Sequence, residues 1–306
     1  MKNNIKPNFL IVGFPKCGST ALHYYLNSHP EIYMPNQKEL HFFTSDILGA
    51  LKEGKGDKYV KGTQIKDINN YLSHYEGVQN EKAIGDASPS YVNYPEKAIP
   101  RIKNTLGNPK IIILLRDPIK RAYSNYLHLV RENRESLGFF DALQQENKRK
   151  EQNFSDFWYY QFNSTYFDKV KSYQNHFDEV LVLTQEELNN NVLNTVQKVF
   201  AFLGVDPNFE PGNIEKRYNP GGVYKKNIIT NLIFNQSGLR ELIKKLVPIT
   251  PRMKHLKHWL IKKYKTQTPK MPIESEEYLV ESLKEDVRKL TEIGVDTSTW
   301  NPRFFN

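Results

Sequence analysis

Between Pro15 and Thr20 the chain reads Pro-Lys-Cys-Gly-Ser-Thr, directly after the apolar run Phe9 to Phe14 and directly before ALHYYLNSHP. A glycine, two hydroxyls and a lysine at the point where a strand turns into a helix are the groups of an anion site. The first N–H groups of a helix have no carbonyl partner, and the helix dipole places about half a positive charge there, which suits a nucleotide phosphate. Gly18 lets the backbone approach closely, Ser19 and Thr20 add hydroxyl donors, and Lys16 adds an ammonium. The stretch GFPKCGST keeps the P-loop spacing of two glycines and a final Ser/Thr, yet Ser19 stands where such a loop carries its lysine. Ordinary NTP chemistry uses that lysine on the β- and γ-phosphates and the hydroxyl on magnesium, so this loop matches it poorly. A plain glycine turn is the competing reading.

Two further blocks hold chemistry-bearing residues. KIIILLRDPIKRAYSNY is a buried strand ending at Arg116, followed by Pro118 at a first helical turn and a helix through Tyr123 and Tyr126. Here Asp117 admits a rival reading as a Walker-B-like acid, which would make the chain a nucleotide-dependent kinase; the proline after it and the displaced lysine argue against that. KELHFF places Glu39 two residues from His41, on one face if the segment is extended. A carboxylate there can accept a proton from a hydroxyl; the competing readings are an exposed loop acid and a hydrogen-bonded packing histidine.

The elements that must position these residues follow from periodicity. Strand-type runs at Phe9 to Phe14, Lys110 to Leu115 and Val180 to Thr184 alternate with helical segments, which predicts an α/β fold with a central parallel sheet and crossover helices. Val192, Leu193, Val196, Val199, Phe200 and Leu203 recur at helical spacing and Gly204 sits at the stop, predicting a core-facing helix. Thr44 to Glu81 reads as an irregular excursion with short helices. From Asn227 onward helical patterns dominate, broken at Pro248, Pro251, Pro269 and Pro272.

With 306 residues, 39% of them hydrophobic, the chain can bury a sizeable core, and no linker composition divides it. One domain is expected over 1–306, with a nucleotide-binding core over about 8–226 and a basic helical extension over about 227–306. The FLIVGF run is too short for a membrane span or a signal-peptide core. A single cysteine, Cys17, excludes an internal disulfide and leaves too few soft ligands for structural zinc, so a reducing cytoplasm is the expected location.

In combination these blocks resemble the PAPS-dependent sulfotransferase family, in the branch of the heparan sulfate N- and O-sulfotransferases and their bacterial relatives. FLIVGFPKCGSTALHYYLNSHP, KELHFF, KIIILLRDPIKRAYSNYLH and FAFLGV run in family order from Phe9 to about Val205. The resemblance implies a P-loop-type three-layer α/β sandwich that binds 3'-phosphoadenosine-5'-phosphosulfate (PAPS) without a metal, releases the bisphosphate PAP, and moves the sulfuryl group in line to an acceptor hydroxyl. It implies that Lys16 meets the bridging oxygen between sulfate and 5'-phosphate, where charge grows as the S–O bond breaks. It further implies that the loop Lys16, Cys17, Gly18, Ser19, Thr20 and Ala21 holds the 5'-phosphate, and that Arg116 and Ser124 hold the 3'-phosphate. Glu39 matches the residue proposed as base in the glycan-sulfotransferase branch, and His41 matches a histidine of the 3-O-sulfotransferase type. Arg217 to Asn227 looks like a loop that closes over PAPS, with Lys225 and Lys226 reaching the sulfate and phosphates and Tyr218 or Tyr224 facing the adenine.

The chain also departs from that pattern. Thr44 stands where some relatives have an acid, and Ala87, in GDASPSYV, stands where glycan 3-O-enzymes can have lysine. The net charge of +9 equals that of Arg240 to Lys270 alone, where ten Lys/Arg face one acid, Glu241. Such a block is a solvated helical face or a surface for an anionic partner: an acidic saccharide acceptor or an acidic membrane is expected, and no nucleic acid. A non-catalytic nucleotide- or glycan-binding protein remains the alternative of another class.

Overall fold

The computed structural model describes residues 5–59, 64–216, 218, 223–224 and 264–306. Five strands, β1 (Phe9–Gly13), β2 (Ile32–Tyr33), β3 (Ala83–Ala87), β4 (Lys110–Leu115) and β5 (Val180–Thr184), form one sheet in the order β2-β3-β1-β4-β5. Every pairing is parallel, with Phe9 opposite both Gly85 and Lys110, and Ile111 opposite Val180. The three apolar runs read as strands are strands. β2 and β3 carry no long apolar run; AIGDA is a strand because β1 and β2 pair with it on either side. Gly85 is needed there, since a Cβ would overlap the Phe9 ring and the Met34 sulfur.

The helices that matter are α1 (Ser19–Leu26), α2 (Pro95–Leu106), α3 (Pro118–Arg131), α4 (Phe167–His176), α5 (Val192–Leu203) and α6 (Ile273–Glu292). In α5 the expected stripe is buried at Val196, Val199, Phe200 and Leu203, Asn191 caps the start, and Gly204 ends the helix. The chain leaves β1, adds β2 and β3 on one side, then returns across to β4 and β5 on the other. The turns after β1, β3 and β4 therefore meet at the C-terminal edge of the sheet, where open α/β sheets hold their ligands.

The excursion from 44 to 81 contains the short helices Ser45–Ala50 and Ile68–Ser73. It is tied down at Asp57, whose buried carboxylate accepts from Arg134, from the Ser155 N–H (2.8 Å) and hydroxyl (2.6 Å), and from the Trp158 indole (3.1 Å). α6 is docked on α3 and α4: Leu279, Leu283, Val287 and Leu290 are buried, and Asp286 accepts the N–H groups of Tyr166 and Phe167 at 2.8 and 2.9 Å where α4 begins. Burial of each of those aliphatic side chains contributes roughly 1.5–3 kcal/mol before entropy.

Of the basic block, residues 240–263 lie outside the described residues. Lys265–Thr266 (β7) pairs antiparallel with Val223–Tyr224 (β6), which lies against α3, and the Tyr123 hydroxyl donates to the Pro269 carbonyl at 2.9 Å. No helix among the described residues is long and apolar enough to cross a membrane.

Candidate active site

β1 delivers the loop and α1 receives it. Lys16 (φ 71) and Gly18 (φ 99) both take the left-handed conformation, which curls the loop so that α1 starts with no side-chain cap. The first N–H groups of α1 are thus open to an anion. Cys17 is different: its thiol is fully buried and pushed up to about 12 by that burial, so only its backbone faces the loop. Lys16 is lowered to about 8, first by burial and then by the cations Arg131 and Arg116 nearby. Three cations gathered beside one loop suit a negatively charged ligand.

Arg116 follows β4 and its Nη1 donates to the Lys16 carbonyl at 3.2 Å, while its buried Nε has no hydrogen-bond partner among the described residues. Its neighbour Asp117 is fully buried as the cap of α3, accepting the N–H groups of Ile119 and Lys120 at 3.0 and 3.1 Å. Both bonds end on Oδ1, and Oδ2 lies 3.4 Å from the Lys120 ammonium, so capping gives this acid a structural part at the start of α3. Ser124 lies two turns into α3, half-buried.

The Glu39 side of the site is assembled on the turn after β3. The Glu39 N–H donates to the Ala87 carbonyl at 3.2 Å and the His41 N–H to the Ser88 hydroxyl at 3.1 Å. Phe43 is buried against Tyr91, and Phe42 stacks on Tyr71 with centroids 4.5 Å apart. The segment is not extended as expected: Glu39 (φ 66) and His41 (φ 53) are both left-handed, and it is this turn that sets the imidazole Nε2 3.8 Å from the Glu39 carboxylate. Behind them Asp86, fully buried, accepts hydroxyls from Ser88 (2.8 Å), Tyr91 (2.7 Å) and Tyr71 (3.1 Å). Burial raises the Asp86 carboxyl even against those three donors.

Burial pushes Glu39 up as well, but Lys38 and His41 beside it outweigh that and hold its carboxyl well below the usual carboxylate range. Lys38 is the bridge between the two halves: its ammonium lies 2.5 Å from the Glu39 carboxylate and 3.4 Å from the Ser19 hydroxyl.

Sequence reasoning passed over Lys38 and also His128. His128 lies on α3 four residues after Ser124 and three before Arg131, whose Nη2 is 2.5 Å from its Nδ1. Burial, then Lys16 and Arg131, hold this imidazole well below its usual range, so it faces the loop as a neutral ring. The signal was present, since Ser124, His128 and Arg131 recur at helical spacing on one stripe. Tyr218 stacks on Tyr24 of α1 at 4.5 Å and donates nothing to the loop; its hydroxyl accepts from Asn213 at 2.9 Å. Tyr224 is placed through its backbone alone, opposite Lys265, and Lys225 and Lys226 lie outside the described residues.

A family model for sulfotransferases matches residues 7–211. The chain belongs to the sulfotransferase family. A solved sulfotransferase from Alicyclobacillus acidocaldarius is 34% identical, with a TM-score of 0.66, over 83% of this chain and 96% of that one. The membrane-associated sulfotransferase kil1 of Dictyostelium discoideum is 39% identical over 120 residues, 39% of this chain and 22% of that protein. Carbohydrate sulfotransferase 15 of Homo sapiens is 27% identical over 248 residues, 66% of this chain and 44% of that protein. The chain thus spans less than half the length of these two relatives. The family and the parallel-sheet α/β fold expected from the sequence are both borne out.

Proposed function

We propose that this sulfotransferase binds PAPS across the loop Lys16–Ala21 and passes its sulfuryl group to an acceptor hydroxyl, with Glu39 taking the hydroxyl proton. The observation that carries the reading is the Lys38 ammonium, which touches Glu39 and the phosphate loop at once and so puts the base beside the loop. A remote Glu39 would have favoured a mere binding protein.

The residues fit such a group. The uncapped start of α1 offers N–H donors to a 5'-phosphate, and Arg116, whose Nε has no partner among the described residues, together with Ser124 offers donors to a 3'-phosphate. When bound, PAPS supplies the sulfuryl group and a bisphosphate that leaves readily. Lys16 keeps an ammonium over the loop at neutral pH, where it favours any build-up of negative charge. An anion on the loop also competes for Lys38. As that ammonium turns away, Glu39 recovers basicity, so the base becomes effective once the loop is filled.

The acceptor class we favour is a saccharide, in keeping with the name of carbohydrate sulfotransferase 15. The basic residues 240–270 supply an anionic saccharide or an acidic membrane with countercharge, a role that kil1's description as membrane-associated supports. Two measurements test the reading. PAP should raise the melting temperature more than Mg-ATP does, because only a ligand of the native state stabilises it. Radiolabelled PAPS offered with saccharides, lipid-linked sugars and small alcohols should label a saccharide; stronger stabilisation by Mg-ATP and no labelled product would overturn it.

A further inference from the structure

Behind His41 lies a hydroxyl pair to which the reaction as described gives no part. The imidazole Nδ1 is 2.7 Å from the Ser90 hydroxyl, and that oxygen is 2.6 Å from the hydroxyl of Thr44, which is fully buried. The protons in this chain can be placed by counting donors and acceptors. Among the described residues the Thr44 hydroxyl has Ser90 as its one partner, so its proton goes to Ser90; the reverse arrangement would leave a buried O–H with nothing to donate to, at a cost of about 1–3 kcal/mol. Ser90 then donates its own proton to Nδ1. With Nδ1 accepting, the ring proton must sit on Nε2, the nitrogen 3.8 Å from the Glu39 carboxylate.

We propose that Thr44 and Ser90 are positioning residues that lock neutral His41 in its Nε2–H tautomer, so that the ring presents an N–H to Glu39. The inference rests on the reading of Glu39 as base. An acid at position 44 would instead accept through Ser90 and favour a proton on Nδ1. The threonine therefore changes which form of His41 stands beside the base, although it touches neither Glu39 nor the loop. The chain of hydroxyls ends in the core at Thr44, so it orients the ring and carries no proton to solvent.

The group needing orientation is half-buried and its neighbours do not settle the matter otherwise. Besides Ser90, His41 faces Glu39 through Nε2 and Ser88 through its backbone N–H, and Asp86 stands behind Ser88 with its oxygens already taken by three hydroxyls. Asp156 is close enough to feel His41 but is occupied by Asn93 and Tyr94.

The test reads the tautomer directly. In protein labelled with 15N-histidine, the His41 signals, identified as those lost in His41→Gln, should show a proton-bearing Nε2 and a bare Nδ1. Thr44→Val and Ser90→Ala should turn this into a mixture of tautomers, and Thr44→Ser should restore it. Turnover with the identified acceptor should fall about tenfold in Ser90→Ala, with KM for PAPS unchanged, because a ring in the wrong tautomer turns a lone pair toward Glu39. PAP binding by each variant checks that it is folded. A wild-type ring protonated on Nδ1, or tautomer signals indifferent to both substitutions, overturns the proposal. Because the spectrum needs no turnover, it stands apart from the base hypothesis: a locked tautomer alongside a fully active Glu39→Gln would sink that hypothesis and leave the lock intact.

Discussion

The two halves of the proposed site are built on different principles. The phosphate half is made from consecutive residues and mostly from backbone: a strand end, a loop with two left-handed residues and the open start of α1. The base half is made from side chains of three separated stretches, 38–44, Tyr71 and 86–91, held together by hydroxyls around the buried Asp86. A backbone site tolerates side-chain changes except where one residue alone permits the fold of the loop. A side-chain site fails wherever a single hydroxyl or carboxylate is lost. Lys38 joins the two, touching Ser19 on one side and Glu39 on the other.

This contrast can be broken most sharply at Glu39. Glu39→Gln should lower kcat by about 10²-fold or more, the usual contribution of a general base, while PAP affinity stays within twofold or so; turnover close to wild type would move the base elsewhere, His41 first.

On the other side, Gly18→Ala should weaken PAP binding by about tenfold, read by calorimetry. The cause is conformational: the new Cβ would find its nearest neighbours at 3.5 Å on Leu188 and 3.6 Å on Gln185, ordinary contact, but φ 99 costs a side chain about 1–2 kcal/mol. An alanine variant binding as well as wild type would mean that the loop does not depend on that backbone state.

A smaller effect is expected at the hub of the base half. Asp86→Asn replaces an acceptor for three hydroxyls with a group that brings donors of its own, and should cost about 1–3 kcal/mol of stability, measured by urea unfolding. The phosphate half should still bind PAP in that variant; loss of PAP binding would show that the halves fold as one unit.

The gentlest test uses pH. In the free enzyme Lys16 is lowered to about 8, so its ammonium is present below that value and lost as pH rises through it. The expected outcome is a kcat/KM for PAPS that falls above about pH 8, a limb that Lys16→Arg shifts upward because a guanidinium stays charged. An identical alkaline limb in the arginine variant would assign it to another group.

The difference between the halves also explains what could be read from the chain. The strand runs, the loop, the helix start at Pro118 and the helix ending at Gly204 were legible because each is a local pattern whose physics acts within a few residues. β3 was not, because AIGDA has the composition of a turn and becomes a strand only between two neighbours. The geometry of KELHFF was misjudged as extended, since nothing within six residues announces that Glu39 and His41 turn left-handed to meet the end of β3.

By itself, then, the sequence determined the long strands β1, β4 and β5, the glycine loop that follows β1 and the helix that ends at Gly204, for these follow from periodicity and from the chemistry of single residue types. Only the tertiary structure decided that Lys38 spans from Glu39 to Ser19, that His128 and Arg131 look onto Lys16, and that Thr44 reaches His41 through Ser90. The hydrogen bonds among them join residues up to 49 positions apart, in the case of His41 and Ser90. A hydrogen bond is decided within about 3 Å of space, and sequence spacing carries no information on that scale once the chain has crossed the sheet.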